Sequence, residues 1–174
     1  MVANKDRLYV TLYLRSEPGT YHWGITRSPK NEDPTDPSEM TRYHARNLPG
    51  PDGVYWEYER RDIRSRATHN TLVRILISKI DLKKVEKMEE MLANIELLQD
   101  DPSWNCKSWV ETAVHALGKA GIIRDWKWSE VETKALWYVE KKFAEGRFET
   151  PKDEEDYDEE VPTFDMLADK EVQK

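Results

Sequence analysis

The sequence predicts an α+β protein, an antiparallel sheet of about five strands packed against about three helices. Two observations carry this. Up to about Asp81, apolar and polar residues alternate in short runs separated by turn residues. Beyond Asp81 the apolar positions recur at spacings of three and four, the period of a helix buried on one side.

The first strand is read from Leu8, Val10, Leu12 and Leu14, which alternate with Tyr9, Thr11, Tyr13 and Arg15. Glu17-Pro18-Gly19-Thr20 is a turn. Tyr21 to Thr26 then forms the second arm of a hairpin, with Tyr21, Trp23 and Ile25 on one face and His22, Gly24 and Thr26 on the other. Residues 28–39 contain three prolines and predict an irregular loop. Met40 to Asn47 and Val54 to Arg60 read as strands closed by Pro49-Gly50-Pro51-Asp52-Gly53, and Leu72 to Ile80 is the most apolar strand. Together these predict a meander.

Asp81 suits an N-cap, followed by a helix carrying Leu82, Val85, Met88, Met91, Leu92, Ile95 and Leu98. A second helix starts near Cys106 and buries Trp109, Val110, Ala113, Val114 and Leu117, ending near Gly118 and Gly121. A third runs from about Ser129 to Ala144 with Val131, Ala135, Leu136, Val139 and Phe143 inward.

Residues 149–160 hold eight acids against Lys152, which accounts for the whole net charge of −7. The sequence therefore divides into a near-neutral body, 1–148, and an acidic, flexible tail, 149–174, ending in a short apolar segment, Pro162 to Leu167, suited to docking on the body or a partner. A neutral body with a repelling tail argues against nucleic acid as a partner. No apolar run is long enough to span a bilayer, and a single cysteine rules out an internal disulfide. These features predict a cytoplasmic protein without cofactor or bound metal.

The lone cysteine is also the strongest chemical signal. Pro102 breaks the preceding chain, and Ser103 or Asn105 caps the helix that begins at Cys106. A helix N-terminus offers positive potential to a thiolate and free N–H groups, here those of Cys106 and Lys107, to an oxyanion. Thiol chemistry also needs an imidazole to carry the proton. His22 and His44 lie on predicted strands, whereas His69 falls in a polar stretch and His115 on the helix face away from Cys106. The plain alternative is a buried structural thiol with core tryptophans beside it. A zinc site of His22, His44 and Cys106 lacks the short ligand spacings such sites use.

Three motifs resemble a known group. Tyr21-His22-Trp23-Gly24-Ile25 resembles the His-Trp-Ala-Ile strand of the lecithin:retinol acyltransferase-like proteins, and Asn105-Cys106-Lys107-Ser108-Trp109-Val110 resembles their Asn-Cys-Glu-His-Phe-Val helix start. Tyr43-His44-Ala45 stands where that group carries a second histidine. The order of histidine, histidine and cysteine is that of the circularly permuted NlpC-type papain-like folds, which include the PPPDE-type deubiquitinating peptidases. The acidic spacer and the Pro-Thr-Phe-Asp-Met-Leu end are similar to fungal proteins containing a domain of unknown function. Ser108 departs from the group's motif, as does the longer gap between the histidines.

The resemblance implies a circularly permuted papain-like fold with Cys106 as nucleophile, His22 as general base and acid, and His44 orienting His22. Asn105, Lys107, Asn47 and Trp23 would line the oxyanion and substrate site. It implies a cysteine-dependent hydrolase or acyltransferase acting on a peptide, isopeptide, ester or thioester of a peptide, protein or acyl substrate. The rival expectation is a binding or scaffold protein that keeps the fold without turnover, its exposed aromatics serving partner contacts.

Overall fold

The structure, a computed structural model, describes residues 4–33, 35, 36, 39–65, 70–149 and 160–173. His69 and residues 150–159 of the acidic stretch lie outside them. The element order is β1 (Lys5–Leu14), β2 (Tyr21–Ser28), β3 (Met40–Gly50), β4 (Gly53–Ile63), β5 (Thr71–Asp81), α1 (Val85–Ala93), α2 (Cys106–Lys119), α3 (Trp128–Ala144), β6 (Thr163–Asp165) and β7 (Lys170–Gln173).

The class is α+β, and the sheet is larger than the sequence predicts. Seven described strands run in the order β4-β3-β2-β1-β5-β6-β7. The first four form the expected meander, but β5 pairs antiparallel with the far side of β1 rather than with β4. β6 joins β5 in parallel, which makes the sheet mixed.

Period-2 patterning sets the two faces. Leu8, Val10 and Leu12 of β1, Trp23 and Ile25 of β2, Tyr43 and Ala45 of β3, and Val73, Ile75 and Ile77 of β5 form one buried cluster with the apolar stripes of the helices. The residues between them leave the sheet on the other face. There Tyr9, Thr11, Tyr13, Thr26, His44 and Arg74 are also buried. Polar groups survive burial when paired. Thr11 and Thr26 share a 2.8 Å hydrogen bond. Arg74 makes two bonds to Glu32 (2.6 and 3.0 Å), one to Thr163 Oγ1 (2.7 Å), and stacks over the Tyr9 ring at 4.6 Å. Glu32 belongs to the proline-rich loop, so this ion pair straps the loop to the sheet.

Three expectations need correction. The helix expected from Leu82 to Leu98 is a 3-10 turn (Leu82–Lys84) followed by α1, which ends at Ala93. Asn94 stops it by turning its side-chain amide back onto Glu90 O at 2.8 Å. Phe143, expected inward, is 44 % exposed and meets Phe148 edge-on (centroids 4.7 Å). The body also extends past 148. Residues 160–173 are not part of a tail: Phe164 packs against Trp137 and Tyr138, and Glu171 pairs with Lys142 at 2.6 Å. The apolar segment docks on the body as a strand because β5 offers it a free hydrogen-bonding edge.

Candidate thiol–imidazole site

β2 and β3 are held together by backbone pairing only from Ile25 to Arg27, opposite Tyr43 to Thr41. Beyond that ladder the two strands are bridged by side chains: His22 Nε2 lies 2.6 Å from His44 Nδ1, with the rings perpendicular. Gly24 makes this approach feasible, since a Cβ there would sit 3.3 Å from that of His44. On the β3–β4 hairpin, His44 faces Glu59 directly, and its Nε2 lies 2.7 Å from Glu59 Oε2.

The proton positions follow. A carboxylate only accepts, so His44 donates from Nε2 and its Nδ1 carries a lone pair. His22 must then donate from Nε2, which leaves its own Nδ1 unprotonated. The chain Glu59–His44–His22 therefore ends on a nitrogen able to accept a proton.

Electrostatics keep both imidazoles neutral. Burial pushes His22 down to about 3, aided by the neighbouring His44, which disfavours a second positive charge, and by the charges of Arg15 and Arg42, and opposed by Glu59. His44 is lowered too, burial and the charges of Arg42 and Arg46 outweighing its bond to Glu59. Burial would raise Glu59, but its bonds to His44 and Arg42 (3.2 Å), with the charge of Arg46 2.9 Å away, hold it below the usual carboxylate value.

Cys106 occupies the first turn of α2 at 1 % exposure. Asn105 caps the helix as the sequence predicts, its Oδ1 accepting from Lys107 N at 2.9 Å, and Ser108 Oγ closes the box by accepting from Asn105 N at 3.2 Å. Two expectations change here. The Lys107 N–H is taken by the cap, so it is not an oxyanion donor, and the Lys107 ammonium is paired with Glu132 at 2.6 Å. The Cys106 N–H makes no hydrogen bond among the described residues. The sulfur receives its hydrogen bond from Arg15 Nη2, at 3.7 Å, and none joins it to His22 among the described residues. Cys106 is part of the helix-side cluster, whereas His22 alternates with Trp23 and leaves the strand on the other side. Arg15, in the turn between β1 and β2, is the group set against both, since its charge also acts on His22.

The structure therefore brings His22 and His44 together and places Cys106 against Arg15, whose charge also acts on His22. It does not bring in Trp23, which is buried against Trp128 (centroids 5.7 Å), or Asn47, which is exposed opposite Trp56 on the hairpin. Glu59 and Arg15 were missed. Arg42 and Arg46 both pair with Glu59, at 3.2 and 2.9 Å. Among the described residues, no group of three or more His, Cys, Asp or Glu side chains is placed to hold a metal ion, and both ring nitrogens of His44 are already engaged. No described helix is long and apolar enough to cross a membrane.

The fold and site define an α+β protein with a carboxylate–histidine–histidine chain near a helix-capped thiol. The chain belongs to a family of unknown function, DUF6914, whose model matches residues 5–173. No curated protein and no solved structure matches the chain.

Proposed function

We propose that this protein is a cysteine-dependent hydrolase or acyltransferase of the permuted papain-like kind, working in the cytoplasm through an acyl-enzyme on Cys106. One observation carries the reading: the hydrogen-bonded chain from Glu59 through His44 ends on the unprotonated Nδ1 of His22, on the strand beside the Cys106 helix. In the reaction, Arg15 leaves the sulfur as the substrate carbonyl arrives. Because His22 leaves its strand on the side away from the Cys106 cluster, the β1–β2 turn that carries Arg15 must shift before the thiol proton can reach His22 Nδ1. A carbon–sulfur bond then forms, and the leaving group departs with the proton from His22. Water or a second nucleophile then breaks the carbon–sulfur bond. The Cys106 N–H is the backbone donor for the oxyanion.

A second reading, a binding or scaffold protein, is favoured by the near-complete burial of Cys106 and by the lack of a thiol–imidazole hydrogen bond. Alkylation by iodoacetamide across pH separates the two. The enzyme reading expects Cys106 to label readily and His22→Ala to slow it and alter its pH profile. Slow labelling that ignores His22 would reject the enzyme reading and leave a structural thiol.

A further inference from the structure

A cavity of about 580 Å³ lies between the β1–β2 turn and α3. Its walls include Leu14, Arg15, Glu17, Tyr21, Glu140 and Phe143. Leu14 at the end of β1 and Phe143 near the end of α3 are large apolar side chains left 47 % and 44 % exposed. Both are apolar side chains facing a space that nothing in the described chain fills. The volume falls within the range of small-molecule pockets, about 300–1,000 Å³.

Arg15 links this cavity to the thiol. Arg15 lines the cavity, and its guanidinium donates to Cys106 Sγ at 3.7 Å, so one residue touches both. We propose that this cavity is the acyl pocket of the Cys106 site, taking a neutral, apolar group whose carbonyl is delivered past Arg15 to the sulfur. The proposal rests on the reading of Cys106 as nucleophile. Apolar walls select the acyl group by the area it removes from water. Glu17 and Glu140 give the lining a net negative charge with Arg15, which disfavours free carboxylates and leaves neutral esters, thioesters and amides. The neutral acyl group is supplied equally by an acyl ester or by an apolar side chain of a peptide.

The test uses the full chain with p-nitrophenyl acetate and p-nitrophenyl octanoate, followed by p-nitrophenolate release and the intact mass of the protein. Sγ attacks the ester carbonyl, the carbon–sulfur bond forms, the bond to p-nitrophenolate breaks, and the thiol proton goes to His22 Nδ1. The octanoyl ester is expected to acylate Cys106 at least about tenfold faster than the acetyl ester. Leu14→Trp, which fills the cavity, should bring that ratio down to about one, and Phe143→Trp serves as a second filling variant should the first not fold. An acyl-phenylalanine p-nitrophenyl ester run in parallel distinguishes the peptide source from the lipid-like one.

Equal rates for the two simple esters would overturn the pocket and leave Cys106 as a nucleophile. No acylation by either would overturn the nucleophile reading and, with it, the proposal as stated. Titrating phenylacetamide into the Cys106→Ala protein and following backbone shifts at Leu14, Tyr21 and Phe143 then decides whether the cavity binds a neutral apolar carbonyl at all.

Discussion

Glu59 stands directly opposite His44 on the β3–β4 hairpin and meets its Nε2 at 2.7 Å, which determines which nitrogen of His22 is free. The carboxylate touches neither the thiol nor the cavity. Its influence reaches the site through two imidazoles.

Glu59→Gln is therefore expected to disturb the tautomers while leaving the hairpin intact. A glutamine amide can donate to His44 Nε2, which would reverse the direction of both hydrogen bonds and place the His22 proton on Nδ1. Nitrogen NMR of the two imidazoles reads this directly. Unchanged His22 tautomer signals in Glu59→Gln would mean that the amide oxygen has taken over as acceptor; unchanged signals in Glu59→Leu as well, which offers no acceptor, would refute the chain of donation. On the proposed function, acylation of Cys106 should fall by about a hundredfold.

Stability should depend on pH in a defined window. His22 has its folded value depressed to about 3 against 6.5 for the free side chain. Between those values the unfolded state binds a proton that the folded state refuses. Its contribution is complete above about 6.5 and drains away as pH falls toward 3, at up to roughly 1.4 kcal/mol per pH unit. His44 is shifted in the same direction and adds to the slope. Urea unfolding between pH 7 and pH 5 should show the loss in the wild type and a shallower slope in His22→Gln. A slope unaffected by that change would mean that His22 is already solvated in the folded protein.

The Arg74–Glu32 pair predicts a non-additive cycle. Removing Glu32 leaves a guanidinium uncompensated, its side chain being 6 % exposed, so Glu32→Ala should cost roughly 3 kcal/mol. Arg74→Met in the same background should recover most of it, because burying methionine needs no partner. Thermal unfolding of both single variants and the double variant measures the coupling. Simple additivity would show that the pair is solvated.

Asn105→Ala removes the side-chain acceptor of the α2 cap and should cost about 1 kcal/mol in chemical denaturation, while Asn105→Asp should be nearly neutral. The Ala variant also frees the Lys107 N–H. If acylation of Cys106 rises in it despite the lost stability, that amide joins the oxyanion donors. If acylation falls in step with the helix, the cap's role is positional.

Much of this was legible in the sequence, and the misses have physical causes. β1 and β2 were readable because a half-buried strand writes its two faces into alternate residues, and α2 because its stripe runs unbroken from Cys106 to Leu117. Glu59 was within reach: a hairpin closing at Gly50 and Gly53, the latter at φ 119°, counts back to His44 opposite Glu59. Ser108 was read as a departure from a motif, and its role as the return arm of the cap was overlooked. Arg15 had no local signal, since its place beside the sulfur depends on how α2 approaches the turn. β6 spans three residues after a long acidic run, too short for any period to show.

The parallel seam between β5 and β6 has a consequence for the outer edge of β5. β5 is the most apolar strand of the sheet, and β6 shields its outer edge from Arg74 to Leu76. Ending the chain after residue 149 would bare that edge, an open template for pairing with a second copy or for growth into fibrils. The last fourteen described residues thus act as a built-in guard against self-association.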